Sequence, residues 1–351
     1  MNSIVSPNQL NTTAKPARLG FLGVGWIGRH RMEAMLNSGF VEAAAIADPS
    51  ADMLEAAASV APGAKRLATL EDLLAEDLDG IVIATPSAQH AGQSIQALEA
   101  GKAVFCQKPL GRSAREVEAV VAAAKSADRL LGVDLSYRHT DGMTRIKELI
   151  KARAVGSVTA IDLTFHNAYG PDKPWFYDKT QSGGGCVIDL GVHLIDLALW
   201  ALDFPDVVDV SSHLFSQGKP ITGASDQVED YAVATLTLAD GTVVRLACSW
   251  RLHAGCDCVI DASFYGTGGG LAMRNVGGSF YDFTAERFSG TSRELLVEPP
   301  DAWGGKAAIA WARQLADGNR FDPEARHLVA VADVIDRIYL PESKAREAFE
   351  F

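Results

Sequence analysis

From Arg18 onward, short apolar runs rich in β-branched residues alternate with alanine-rich stretches whose apolar positions recur every three or four residues. The runs predict strands over 19–23, 43–47, 80–84, 103–106 and 131–135, and the periods between them predict helices over 27–37, 51–60, 88–100 and 114–127. The strands show little polar alternation, as a parallel sheet covered by helices on both faces requires. Past Gly156 the rhythm changes to longer period-two runs over 158–165, 231–238 and 242–250, which predict a largely antiparallel sheet. Ala239-Asp240-Gly241 lies between the last two and carries a tight-hairpin signal. A helix over 141–154 is expected to bridge the halves. Helices over 307–315 and 323–339 close the chain, with Pro323 suited to a first helical turn.

Gly23-Val24-Gly25-Trp26-Ile27-Gly28 follows the first strand and opens the first helix. In that context GxGxxG is the Rossmann dinucleotide fingerprint: a tight turn, close approach of a pyrophosphate, close helix packing. A purely structural glycine turn is the alternative. Asp48 stands 20 residues beyond Gly28, at the end of the second strand, where a carboxylate accepts from ribose hydroxyls. It would repel a 2′-phosphate, and no arginine follows it, so NAD is the expected cofactor; the alternative is a turn aspartate before Pro49. Thr85, Pro86 and His90, then Gln107 and Lys108, lie at or just past later strand ends, where ligands of open α/β sheets bind. With Trp26 and Ile27 they are the candidate cofactor contacts.

Gly183-Gly184-Gly185 precedes an apolar helical period containing Asp189 and His193, four residues apart. On an α-helix the two side chains would share a face, so that the carboxylate orients the imidazole. Histidine can take a proton from an alcohol while a nearby lysine polarises the same oxygen, which makes Lys108, Asp189 and His193 the candidate catalytic group.

Taken together, the glycine fingerprint, Asp48, Thr85-Pro86 with His90, Lys108-Pro109, the triple-glycine Asp189/His193 segment and Gly266-Thr267-Gly268-Gly269-Gly270 resemble the Gfo/Idh/MocA family over roughly 18–339. The resemblance implies a Rossmann-type parallel-sheet domain and an α+β domain with an open, mainly antiparallel sheet that packs on substrate and often on a partner subunit. It implies oxidation or reduction of a secondary alcohol of a sugar, sugar acid or cyclitol, with Lys108 as catalytic lysine and Asp189/His193 as acid–base pair. The chain departs from the family in one place: Gln107 stands where a glutamate is usual, removing a carboxylate neighbour that would favour the charged form of Lys108. The expected divisions are a flexible tail over 1–17, an NAD-binding domain over 18–137, a substrate and oligomerisation domain over 138–340 whose last helices return to the first, and a tail over 341–351.

Tyr137, Arg138, His166 and Trp175 are the candidate substrate contacts beside Asp189 and His193; ordinary packing is the alternative for Trp175. Arg251 and His253 could reach the site from the second sheet. His253, Cys256 and Cys258 lack the spacing of zinc pairs, so no metal is expected, and Gly266–Gly270 reads as a turn. A formal charge of -12 sets nucleic acid and anionic membranes aside as partners. No apolar run long enough to span a bilayer and no export signal are legible, and five cysteines are an odd count for a disulfide framework. A cytoplasmic homo-oligomer, dimer or tetramer, is expected. Two other functions fit the same scaffold: a non-catalytic NAD-binding regulator, and a redox-neutral hydrolase or epimerase that oxidises its substrate transiently.

Overall fold

In the computed structural model, which describes residues 15–222 and 225–340, the apolar runs of the first half pair as parallel strands. These are β1 (Ala17–Leu22), β2 (Val41–Ala47), β3 (Lys65–Leu67), β4 (Gly80–Ile83), β5 (Ala103–Cys106) and β6 (Leu131–Val133). Their order, β3-β2-β1-β4-β5-β6, is that of a doubly wound Rossmann sheet. The register brings Ala47, Leu22, Ile83, Cys106 and Val133 into one row across the sheet. The residues that follow them, Asp48, Gly23, Ala84, Gln107 and Asp134, therefore leave the sheet along a single edge.

Two sequence expectations need adjusting, and one strand has no counterpart among them. Ala17 already pairs with Val41, so the first strand begins inside the expected tail; residues 1–14 and 341–351 lie outside the described residues. The last parallel strand stops at Val133, because Leu135 turns back to donate to the Val133 carbonyl. β3 carries only Lys-Arg-Leu, two of them exposed, too short and polar to register as an apolar run.

The second sheet holds β7 (Val158–Asn167), β8 (Val207–Ser216), β9 (Lys219–Pro220), β10 (Tyr231–Leu238), β11 (Val243–Ser249), β12 (Cys258–Gly266), β13 (Gly269–Asn275), β14 (Phe283–Ser289) and β15 (Ser292–Val297). They run in the order β15-β14-β13-β12-β7-β11-β10-β8-β9, antiparallel except where β7 meets β11. The β10–β11 hairpin turns at Gly241, whose φ of +87° only glycine adopts freely. Alternation turns Ala232, Ala234, Leu236 and Leu238 inward, against the same core as Ile161, Leu163 and Phe165. The helices Asp141–Lys151, Val192–Ala201 and His327–Tyr339 contribute to that core. The helical run over Lys179–Ala201 is long and apolar enough to cross a membrane by composition alone, and 89% of its apolar stretch is buried inside the molecule.

The helix Lys306–Asp317 packs on the first sheet. Trp311, 4% exposed, lies 5.6 Å from the Phe105 ring, and a Cβ on Gly132 would come within 2.5 Å of the indole. Trp311→Ala is expected to cost about 3–5 kcal/mol, as removal of a buried tryptophan does. A thermal melt checks it: a clear fall in Tm is expected, and an unchanged Tm would show that this helix docks without its indole.

Candidate functional site

The strand-end edge builds a cradle. A Cβ on Gly23, whose φ is +79°, would sit 2.6 Å from the Ala84 carbonyl, and one on Gly28 would sit 2.1 Å from the Gly23 carbonyl. At Gly25 a Cβ would meet nothing within 4 Å, leaving the backbone open. The helix Trp26–Asn37 starts there without a side-chain cap, so its first N–H groups remain available to an anion. These features fit a dinucleotide pyrophosphate. Asp48 ties the loop down: Oδ2 accepts from the Val24 N–H at 2.9 Å and Oδ1 from the Ser50 N–H at 2.9 Å. Each oxygen keeps a lone pair for a ribose hydroxyl. No arginine follows Asp48 in sequence, yet Arg29 borders this end of the cleft from the helix, its Nη1 3.3 Å from the Val24 carbonyl.

The cleft has a volume of about 1440 Å³, above the range of roughly 300–1,000 Å³ usual for one small ligand and large enough for a cofactor with a substrate. Trp26, Ile27, Thr85, Pro86, Gln107 and Lys108 line it from the first sheet. Tyr137, Trp175, Phe176, Asp189 and His193 line it from the other side. His90 also borders it, but its ring is taken: Nδ1 lies 2.7 Å from the Pro109 carbonyl and Nε2 2.6 Å from the Thr85 carbonyl. Burial holds its pKa below the usual value, and a neutral imidazole has one N–H, so it donates to one carbonyl at a time. His90 thus braces the cradle wall, tying the Thr85 and Pro109 carbonyls together.

Lys108 Nζ bonds Asp189 twice, to Oδ1 at 2.6 Å and to the carbonyl oxygen at 2.7 Å. The expected Asp189–His193 pair does not form. Residues 187–191 make a π turn, with the Val192 N–H donating back to the Val187 carbonyl, and this shifts the α-helical register on which that pairing depended. Asp189 Oδ2 instead accepts from Trp250 Nε1 at 3.0 Å. His193 is 7% exposed, edge-on to the Tyr137 ring at 4.8 Å, and its Nδ1 is buried without a hydrogen-bond partner. Burial, then the positive charges of Lys108 and Arg31, hold its pKa well below the usual histidine value. It is neutral at pH 7.

Two expected substrate contacts face elsewhere. Arg138 forms a two-pronged ion pair with buried Asp196 and does not border the cleft. Alternation along β7 turns His166 away from the inward Phe165, so it bonds Ser249 Oγ and stacks on Tyr231 on the outer face of the sheet. Arg251 lies behind the aromatic loop, bonded to the Tyr177 hydroxyl at 3.1 Å, and neither it nor His253 borders the cleft. Among the described residues no cluster of three His, Cys, Asp or Glu is arranged to hold a metal.

Gln107 points away from Lys108. Its Nε2 donates to Asp134 Oδ2 at 2.7 Å, the oxygen that also accepts from Arg31 Nε at 2.6 Å. The carboxylate missing next to Lys108 in sequence is thus supplied from elsewhere: the lysine pairs with Asp189, from beyond the first sheet. Sequence reasoning missed the groups that hold the triple glycine. The Glu229 carboxylate, 1% exposed, accepts from the Gly185 and Val187 N–H groups and from the Tyr339 hydroxyl at 2.8 Å. Burial raises its pKa. A Cβ on Gly184 would lie 2.0 Å from the Tyr339 oxygen and one on Gly185 1.9 Å from the Glu229 carbonyl, so both positions admit only glycine without rearrangement. Nothing in the local spacing marks Glu229, Tyr339 or Trp250 as partners of this segment.

Two family profiles match the chain: an oxidoreductase family with an NAD-binding Rossmann fold over 17–135, and the GFO/IDH/MocA C-terminal domain over 143–272. The chain belongs to the Gfo/Idh/MocA family. It is an NAD-binding oxidoreductase. Among curated relatives, D-glucoside 3-dehydrogenase of Escherichia coli (strain K12) is 25% identical, the match covering 71% of this chain and 68% of the relative. Inositol 2-dehydrogenase of Rhizobium meliloti (strain 1021) is 28% identical over 74% of this chain and 76% of that one. A levoglucosan dehydrogenase solved with NADH and levoglucosan has the same fold, with a TM-score of 0.80 and 21% identity over 95% of this chain and 98% of that one. In this family member the fingerprint, the lysine and the Asp189/His193 segment meet in one cleft.

Gln107→Glu would set a carboxylate against Asp134 in a buried site. Repulsion raises the folded-state pKa of such a pair, so the variant keeps stability at low pH and loses it as pH rises. Denaturant titration is expected to give a deficit of about 1–3 kcal/mol at pH 8 that shrinks at pH 5. Lowered by burial, His193 has the opposite sign: the stability it permits is whole above about pH 6.5 and falls as pH drops below it. Relative to His193→Gln, the wild type should lose stability between pH 7 and 5, and parallel curves would refute the neutral assignment.

Proposed function

We propose that this oxidoreductase oxidises, or in reverse forms, a secondary alcohol of a sugar, sugar acid or cyclitol, with NAD as its redox partner. The observation that carries the reading is the Lys108–Asp189 bond beside His193, at the strand-end edge that also bears the glycine cradle. When bound, NAD supplies the acceptor for the hydride that leaves the alcohol carbon. Gly25, the open start of the Trp26–Asn37 helix and Asp48 hold it. The Lys108 ammonium donates a hydrogen bond to the reacting oxygen, and neutral His193 takes the hydroxyl proton at Nε2, its Nδ1 being buried. Asp189 fixes the lysine rather than the imidazole. Trp175 and Phe176, stacked at 3.8 Å, offer an apolar surface for the face of a sugar ring. A cyclitol dehydrogenase and a glucoside dehydrogenase among the relatives support the substrate class.

The reading extends to a cytoplasmic homo-oligomer that pairs through the outer face of the second sheet. That face carries Asp162, Thr164 and His166 of β7, all half-buried, and Tyr265 of β12, which is 39% exposed. Light scattering on a gel-filtration column tests it: a dimer or tetramer is expected, and a monomer at micromolar concentration would contradict it.

The chemistry is tested by incubating the protein with NAD and myo-inositol, methyl β-D-glucopyranoside, levoglucosan or D-gluconate and following NADH. Turnover of at least one is expected. Lys108→Ala and His193→Ala should each lower kcat by roughly 100-fold or more while NADH affinity stays within about threefold. A folded variant with wild-type turnover would remove that residue from the mechanism. NAD should exceed NADP in kcat/KM, and Asp48→Ser should narrow the gap; equal use by the wild type would overturn the cofactor assignment.

A further inference from the structure

The carboxylate of Asp189 is gripped on both oxygens, Oδ1 by Lys108 and Oδ2 by the indole N–H of Trp250. Trp250 directly follows β11, is 3% exposed, and donates its backbone N–H to the Asp230 carbonyl at 2.8 Å, so the indole stands on a fixed base. Two aromatic rings from the loop over 172–177 lie against it in T-shaped arrangement: Phe176 at 6.3 Å and 87°, Tyr177 at 5.7 Å and 66°. Phe176 borders the cleft, as does Trp175 stacked on it. Tyr177 is held in turn, donating to the Pro171 carbonyl at 2.9 Å, with the Arg251 guanidinium 5.3 Å from its ring centre. One indole thus touches the aromatic loop on its ring and the lysine's carboxylate through its N–H.

We infer that Trp250 is a positioning residue: it fixes the rotation of the Asp189 carboxylate so that Lys108 is aimed at the reacting oxygen, and it passes the seating of the aromatic loop to that pair. The inference rests on the proposed roles of Lys108 and Asp189. A carboxylate oxygen that is largely shielded and loses its donor seeks another, and the Lys108 ammonium already sits on the same carboxylate, at Oδ1. Sharing the ammonium between both oxygens would draw it off the line to the substrate. Binding of NAD involves other residues and should not respond.

The test replaces Trp250 in the full chain with phenylalanine and, separately, with benzothienylalanine, which keeps the indole shape and exchanges the N–H for sulfur. Turnover is read with NAD and whichever of myo-inositol, methyl β-D-glucopyranoside, levoglucosan or D-gluconate the wild type oxidises. Both variants should lose roughly tenfold to a hundredfold in kcat, the size of one hydrogen bond to a charged group, with NADH affinity within about threefold of wild type. A packing role alone would leave the benzothienyl variant at wild-type kcat, and that result overturns the proposal. If Trp250→Phe does not fold, the isosteric variant decides. Lys108→Ala runs alongside: if it turns over normally, or if no substrate is oxidised, the reading of the site has failed and the inference falls with it. If Lys108→Ala is inactive and both Trp250 variants are normal, only the inference has failed.

Discussion

The bond between Lys108 and Asp189 joins two parts of the chain that are built independently. Lys108 leaves the first sheet two residues after β5, and Asp189 enters on the helical segment that crosses the second sheet's core. Both side chains are largely shielded, at 22% and 15% exposed, so each ion has given up much of its hydration and has the other in its place. A charge left unpaired in such a place is costly, and the pair therefore acts as a latch with a defined geometry as well as a chemical group. The cleft, its aromatic wall and the orientation of His193 all depend on how the two halves meet at this point.

Other buried polar groups serve the same alignment. Arg31, from the helix that begins at the glycine cradle, reaches Asp134 beyond β6, and Gln107 shares the same carboxylate oxygen. This cross-link braces the residue preceding Lys108. On the other side, Glu229 closes the amino end of the segment that carries Asp189, with two backbone N–H groups and the Tyr339 hydroxyl as its donors. Buried acceptors satisfied by several donors fix backbone position better than apolar packing, because displacing them leaves groups unpaired. Arg138 adds a part-buried ion pair with Asp196, which stands on the helix that carries His193.

The parallel half was legible because its signals are local. A strand followed by GxGxxG and a helix specifies its own geometry, and the shared register of β1, β2, β4 and β5 carries Asp48 and Gln107-Lys108 to one edge. The partners of Asp189 were not legible, since the π turn at 187–191 alters a spacing that reads as ordinary helix, and the side chains that replace His193 as its neighbours come from 81 residues earlier and 61 later. The direction of His166 was missed for a related reason. Period two along β7 says which residues share a face, but only packing says which face is covered. The place of Arg138 after a strand suggests a site residue; its partner Asp196, three residues past His193, is visible in the sequence, but no rule of spacing pairs the two.

The central claim is that Lys108 and Asp189 act as one unit. A double-mutant cycle on kcat/KM with NAD, using Lys108→Met, Asp189→Asn and the combined variant, tests it most directly. Each single change should remove most of the activity and the second should add little, giving a coupling of about 1–3 kcal/mol. Fully additive losses, with all three variants folded and binding NADH, would mean that the two residues work separately and that the latch between the halves is not what assembles the site.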